Sequence, residues 1–411
     1  MKDMDELQLQ NICHQWSTPL YIYDAAKFTD NFKDLENAYK GYYPNFCIAY
    51  SFKTNYTPAI CKQVLELGGI AEVVSGMEYR LAKKIGFTPD RIIVNGPAKW
   101  RELPNMLCDG ALVMLDNMAE VERAVACAQT AEHPARIGFR LNYPIDGGKN
   151  SRFGFDVESQ ELREAIIIAR STSNLRIEGI HFHLSGARSL SAWQYRAEKM
   201  VSFASELLKP EERKYIDLGS GMFGRMELPL AEQFLQPIPT FEEYASKVAG
   251  VFAKSYCNLP DGERPMLIVE PGTTLVANTV SYLTTVLAIK KIRNRNIAIV
   301  DGSVHQAGEL SKKKRLPIRV ISCSEEKSLK GPVEITGYTC LEDDILYPDF
   351  PESIGKGDII QIDNVGSYSN VLAPPFIQEG CAMILCDASG NTRLIKHEDS
   401  MERMLSTYIF E

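Results

Sequence analysis

The sequence predicts an α/β chain: a closed (β/α)8 barrel followed by a C-terminal β domain. From about Phe46 to Glu270 one plan recurs, a short β-branched run, a turn, and then a stretch with helical apolar spacing. The units number eight and fill roughly 225 residues, the count and length of a closed barrel rather than an open doubly wound sheet. Beyond Glu270 the texture changes to strand-like runs separated by Gly, Pro, Asp and Lys, with few helical patterns between them.

In order, the candidate barrel strands are Phe46–Phe52, Ile70–Ser75, Arg91–Asn95, Ala111–Asp116, Ala135–Asn142, Leu175–Leu184, Lys214–Leu218 and Pro265–Glu270. A helix-like segment opens at Thr57, and Met77–Ile85, Met118–Gln129, Glu158–Arg170, Ser191–Leu208 and Phe241–Ser255 carry 3.6-residue spacing. In the β domain the runs are Thr279–Ile289, Asn296–Val300, Leu316–Ile321, Val333–Tyr338, Asp358–Asn364 and Cys381–Leu385, with Ser311–Arg315 a polar loop. The expected division is 28–272 for the barrel and 273–411 for the β domain, joined by the strand-like N-terminal stretch 19–24.

Composition narrows the function class. The 411 residues are 45% hydrophobic and 24% charged, ordinary for a globular protein able to bury a core. A net charge of −8 without a basic-aromatic stripe argues against nucleic acid or an anionic membrane as partner and favours a small-molecule enzyme. The start Met1-Lys2-Asp3-Met4-Asp5-Glu6 has no signal-peptide character and no run reaches membrane-span length, so a cytoplasmic location is expected. Ten cysteines lie scattered without a C-x-x-C, and no H-E-x-x-H occurs, so neither disulfides nor metal catalysis is expected.

Barrel enzymes place their chemistry at the C-terminal strand ends. Here those positions hold Lys53, Ser75, Asn95, Asp116, Arg140, Asn142, His183, Gly219-Ser220-Gly221 and Glu270. A lysine ending the apolar run Phe46–Phe52 is an odd place for a solvated ammonium. Desolvation there favours the neutral amine that Schiff-base chemistry with an aldehyde cofactor requires, although a lysine snorkelling to water is the bland reading. The glycines of Asp217-Leu218-Gly219-Ser220-Gly221 follow the seventh strand, and their amides suit a phosphate monoester. A plain tight turn or a dinucleotide site are the other readings of the same glycines, the last lacking a following strand that ends in an acidic residue. In His181-Phe182-His183 the two imidazoles are expected to diverge, leaving His183 for the site and His181 structural. A buried Glu270 beside a heterocyclic nitrogen would keep that nitrogen protonated and make the ring an electron sink.

Taken together these segments resemble the fold-type III pyridoxal-phosphate decarboxylases, the group of diaminopimelate, ornithine and arginine decarboxylases with an alanine-racemase-like barrel. The resemblance runs in order through Pro19–Asp24, Tyr50-x-x-Lys53-x-Asn55, Val73–Glu78, Asn95-Gly96-Pro97-Ala98-Lys99, Arg152-Phe153-Gly154, His183, Asp217–Gly221, Glu270-Pro271-Gly272, Cys340-x-x-x-Asp344 and Gly366-Ser367-Tyr368. It implies pyridoxal 5'-phosphate carried on Lys53, His183 stacked on its ring and Glu270 on its pyridinium nitrogen. The loop Gly219, Ser220, Gly221 and Tyr368 would hold the phosphate, and Gly272 and Thr273 would also bind the cofactor, Thr273 at a position used for the phosphate or the substrate carboxylate. Cys340, Leu341 and Asp344 would come from the second subunit of a homodimer with shared active sites, the cysteine returning a proton to Cα.

Five departures bear on the substrate and cofactor. Thr273 stands where the family commonly has arginine, Ser185-Gly186 reverses the usual glycine-serine, and Glu72 replaces an aspartate. Leu341 occupies the position where diaminopimelate decarboxylases carry a glutamate for the distal amine, while Glu342, Asp343 and Asp344 beside it would form a shifted acidic wall if the stretch is extended, and Arg315-Leu316-Pro317 poorly matches their arginine-proline motif. The expectation is therefore decarboxylation of an amino acid or amino-acid conjugate in a specialised pathway rather than lysine synthesis. Diaminopimelate, lysine or ornithine decarboxylation, an amino-acid racemase, and a non-catalytic binding homologue are the alternatives.

Overall fold

The computed structural model describes residues 4–97, 99, 101–145, 147–323, 329, 331–373 and 375–410. Two compact units result, one of residues 31–223 and 238–274, the other of 1–30, 224–237 and 275–411. In chain order the first strand, β1 (Leu20–Asp24), belongs to the second of these units.

The barrel unit is built on β2 (Phe46–Ser51), β3 (Ile70–Val73), β4 (Ile92–Val94), β5 (Leu112–Leu115), β6 (Ala135–Asn142), the short outlying β7 (Phe155–Asp156), β8 (Leu175–His181), β9 (Tyr215–Asp217) and β10 (Met266–Val269). All pairings are parallel, in the order β5-β4-β3-β2-β10-β9-β8-β6, and β5–β6 closes the ring. Parallel strands covered on both faces read as continuous apolar runs, which is why all eight barrel strands were legible. Side chains from four of them, Ala49, Ile93, Leu112, Met114 and Ile268, pack together as a buried cluster. Helices cover the strands, and their N-termini are capped by Ser75, Asn117, Ser159, Ser189 and Thr240. Several strands end earlier than expected: β2 stops at Ser51 and β8 at His181, and the residues beyond them turn into loops or a 3-10 turn.

The other unit carries one sheet of β1, β11 (Val280–Ile292), β12 (Arg295–Val300), β13 (Ile318–Ile321), β14 (Val333–Thr336), β15 (Ile345–Phe350), β16 (Ile359–Ile362), β17 (Ala382–Cys386) and β18 (Thr392–Lys396). Strand β1 lies between β11 and β17, antiparallel to the first and parallel to the second. Leu20, Ile22, Leu283, Ile321, Ile359 and Ile384 form its core with Leu9 and Ile12 of the helix Glu6–Trp16. The terminal strands β15 and β18 go beyond the sequence reading. Pro348 interrupts the first and half-exposed polar residues the second, which is what sheet edges look like. Among the described residues no helix is long and apolar enough to cross a membrane.

Candidate active site

Of the polar residues predicted for the barrel mouth, Lys53, Asn95, His183 and Glu270 are linked inside one unit, whereas Ser75 caps a helix and Asn142 donates to the Ser151 carbonyl. Lys53 sits on the 3-10 turn Phe52–Thr54 that directly follows β2. Its Nζ is 2.6 Å from Ser51 Oγ and 2.5 Å from Glu72 Oε2. Glu72 is buried on β3, and Ser51 Oγ also donates to it at 2.5 Å. The expected desolvated, neutral amine is therefore replaced by an ammonium paired with a buried carboxylate.

Across the mouth Glu270, 1% exposed, collects three groups, Asn95 from the end of β4 and His181 and His183 from the end of β8. Asn95 Nδ2 donates to Oε1 and lies 3.4 Å from Glu72 Oε1, so one amide ties the two carboxylates together. His181 Nε2 and His183 Nδ1 each lie 3.4 Å from Glu270 Oε2. The expectation that the two imidazoles diverge is overturned, because residues two apart on a strand share a face. Their roles differ. His183 Nδ1 accepts the Ser220 amide at 3.2 Å and its Nε2 meets Ser185 Oγ at 3.0 Å, so Nδ1 carries no proton and its approach to Glu270 is not an ion pair. His181 is free of that constraint, and its Nε2–H points at the carboxylate.

Burial pushes both imidazoles toward the neutral form, His183 down to about 4. Burial opposes ionisation of Glu270 too, but His181 and then Lys53 outweigh it and hold the carboxyl well below its usual range. Asp217 behaves in the opposite way: burial and then the Glu270 charge raise it well above the usual carboxylate range. Its Oδ1 accepts the Gly219 amide at 2.8 Å. Two neighbouring buried carboxyls are thus pushed in opposite directions.

The glycine loop is shaped by close backbone approaches. Gly219 and Gly221 have φ of +62° and +106°, and a Cβ on Gly219 would fall 2.6 Å from the Phe182 carbonyl. A Cβ on Gly272 would meet Thr54 Oγ1 at 2.0 Å. Thr273 opens the short helix Thr273–Val276 beside it. Buried polar atoms without a partner also gather at this end: His181 Nδ1, Asn95 Oδ1, Asp217 Oδ2 and Arg140 Nε. Arg140 lies over the Phe153 ring at 4.7 Å. An amine, a buried anion, a glycine cradle and unsatisfied polar atoms at one mouth fit a pyridine aldehyde phosphate. Of the Asn95–Lys99 motif, Ala98 lies outside the described residues.

Cys340, Leu341, Asp344 and Tyr368 belong to the other unit. Cys340 and Leu341 are exposed. Leu341–Asp344 is a turn, closed by the Asp344 amide donating to the Leu341 carbonyl at 3.2 Å, not the extended stretch the sequence suggested. The Asp344 carboxylate is buried and accepts from Ser303 Oγ at 3.0 Å, the Val304 amide at 2.8 Å and Thr339 Oγ1 at 2.7 Å. It therefore holds the Cys340–Leu341 turn in shape and is not part of an acidic wall. Tyr368 has φ +53°, two residues after Gly366, whose backbone abuts that of Val276.

Sequence reasoning missed Asn95 and His181 as Glu270 partners and Glu72 as the partner of Lys53. The signal was present in the strand-end positions, but nothing in a linear sequence says which ends meet.

Comparison with known proteins agrees with this geometry. A family described as "Pyridoxal-dependent decarboxylase, pyridoxal binding domain" matches residues 26–277. Diaminopimelate decarboxylase of Aquifex aeolicus is 26% identical over 97% of this chain and 93% of its own length. That of Methanothermobacter thermautotrophicus is 29% identical over 87% and 84%. The crystal structure of diaminopimelate decarboxylase from Methanocaldococcus jannaschii superposes with a TM-score of 0.84 at 25% identity, covering 98% of this chain and 94% of that one. The chain belongs to the pyridoxal-dependent decarboxylase family, as a pyridoxal-phosphate-dependent amino-acid decarboxylase with the alanine-racemase-like barrel.

Proposed function

We propose that the chain removes the α-carboxylate of a modified or conjugated amino acid, in a site completed by a second copy of the chain. Pyridoxal phosphate, when bound, supplies the electron sink for the pair left at Cα as carbon dioxide departs. Lys53 would carry the cofactor, and Glu72, 2.5 Å away, would take the proton that the ammonium must lose first. Glu270, kept anionic by Asn95 and His181, would hold the ring nitrogen protonated, with His183 against the ring. Gly219, Ser220, Gly221 and Tyr368 would hold the phosphate, with Gly272 and Thr273 also toward the cofactor. From the partner subunit, the Cys340 thiol returns a proton to Cα and Leu341 lies along the distal part of the substrate.

The observation that carries the substrate reading is Leu341, an apolar, exposed side chain where a distal ammonium would need a carboxylate. The names of the relatives favour a second reading, decarboxylation of diaminopimelate, with lysine and ornithine behind it. A carbon dioxide release screen across diaminopimelate, lysine, ornithine, arginine, glutamate and amino acids acylated at the distal amine decides between them. Chiral analysis of the products separates either from a racemase.

A further inference from the structure

We propose that Arg196 is the buried cation that orients the cofactor's phosphate-binding amides, a positioning role that offsets the arginine missing at Thr273. The inference rests on assigning the Gly219–Gly221 loop to the phosphate.

The helix Leu190–Leu207 buries Ala192, Trp193, Arg196, Ala197, Met200 and Ala204, so an arginine stands on the face where the spacing asks for an apolar residue. Its side chain is fully buried. The guanidinium lies 4.1 Å from the Trp193 ring centre and 5.3 Å from that of Phe182. No carboxylate pairs with it among the described residues. Its hydrogen bonds go only to backbone carbonyls: Nη1 to Leu218 at 3.0 Å and Ser220 at 2.9 Å, Nη2 to Leu184 at 3.0 Å and Ala187 at 3.5 Å.

Burying a cation without a counter-ion is costly, so such a charge is a poor way merely to stabilise a helix. Burial lowers its pKa to about 10, which leaves it cationic at neutral pH. The four carbonyls come from the two loops that follow His183 and Asp217. In a trans peptide the carbonyl and the next N–H point in opposite directions. Carbonyls of Leu184 and Ser220 drawn onto Arg196 therefore turn the Ser185 and Gly221 amides away from it. Neither amide has an acceptor among the described residues. Both flank His183, and a Cβ on Gly221 would lie 3.0 Å from the Leu184 carbonyl, so the two loops are adjacent. Aligned peptide dipoles backed by a positive charge are what a dianion needs where a direct guanidinium contact is lacking.

The test compares pyridoxal phosphate with pyridoxal, the same ring and aldehyde without phosphate, by equilibrium titration of cofactor-free protein. Arg196→Gln and Arg196→Met are expected to weaken pyridoxal phosphate binding by about tenfold or more while changing pyridoxal binding less than about twofold. Adding Thr273→Arg to Arg196→Gln is expected to restore the preference for the phosphorylated form. Equal weakening of both ligands, or no rescue by Thr273→Arg, would overturn the proposal and leave Arg196 a structural residue. Should the neutral variants not accumulate as folded protein, Arg196→Lys carries the same comparison: its single ammonium cannot reach four carbonyls, and an unchanged preference sinks the idea. Gly221→Ala checks the loop assignment separately. If it leaves the phosphate preference intact, the loop is not the phosphate site and the underlying reading fails rather than the role of Arg196.

Discussion

Lys53 Nζ stands 2.5 Å from Glu72 Oε2, and Glu72 is 1% exposed, so the amine proposed as the nucleophile rests as half of an ion pair. The pair also engages Ser51 Oγ, which makes Glu72 a proton acceptor with two donors already aimed at it. Replacing Glu72 by Gln keeps the shape and removes the acceptor. The expected result is slower covalent capture of pyridoxal phosphate by about 10² or more, the scale of a lost general base, with folding intact. Stopped-flow absorbance of reconstitution measures it, and an unchanged rate would show that water, not Glu72, takes the proton.

The neutral histidines give the cofactor-free protein a pH-dependent stability. His183 has a folded value of about 4 against an ordinary 6.5, so the unfolded chain binds its proton first. Stability from this group is complete above about pH 6.5 and is lost as pH falls toward 4, a change of about 3 kcal/mol. His181 acts in the same sense, and Asp217, raised by burial and by Glu270, acts in the opposite one. The difference between wild type and His183→Phe isolates the term. Urea unfolding at pH 7 and pH 4.5 should show wild type losing more stability than the variant on acidification. Parallel losses would mean that His183 titrates normally in the fold.

The barrel was legible because its strands are buried on both faces and so need little tertiary information. The β domain was less so, since the half-exposed β18 and the Pro-interrupted β15 have weak patterns. At the site, the one-dimensional order revealed Lys53, Glu270 and the glycines but not their pairings. Asn95 reaches both Glu72 and Glu270 across residues far apart in the chain, and nothing local encodes that. Arg196 was not singled out from the helix Ser191–Leu208, because its carbonyl partners lie on loops that only the closed barrel assembles. For Asp344 the misreading was conformational: an extended stretch would have exposed its carboxylate, whereas the turn buries it against Ser303 and Thr339.

If the sites are shared between two copies, Lys53 and Cys340 act in trans. Lys53→Ala and Cys340→Ala should each be inactive as homodimers, while mixing them after dissociation should restore about a quarter of wild-type activity. That value follows from random pairing, with half the dimers mixed and one of two sites intact in each. Recovery of nothing from a mixture shown by mass to contain mixed dimers would place both residues in one subunit's site, and an active Cys340→Ala homodimer would remove Cys340 from the chemistry.

Leu341 supplies the sharpest test of substrate choice. An exposed leucine gives a distal ammonium no counter-charge but can lie against an acylated or otherwise neutralised amine, so the wild type should favour conjugates over diaminopimelate and lysine. Leu341→Glu places a carboxylate on the same exposed turn. Because that turn is exposed and the pair would be partly solvated, the gain is modest, an increase in kcat/KM for diaminopimelate or lysine of up to about fivefold, with a loss for the conjugate. The Asp344 interactions that set the turn are left untouched, so the change reads charge rather than folding. Wild-type turnover of diaminopimelate exceeding that of every conjugate, together with no response to Leu341→Glu, would establish that the distal amine is held elsewhere and that the second reading of the function is the right one.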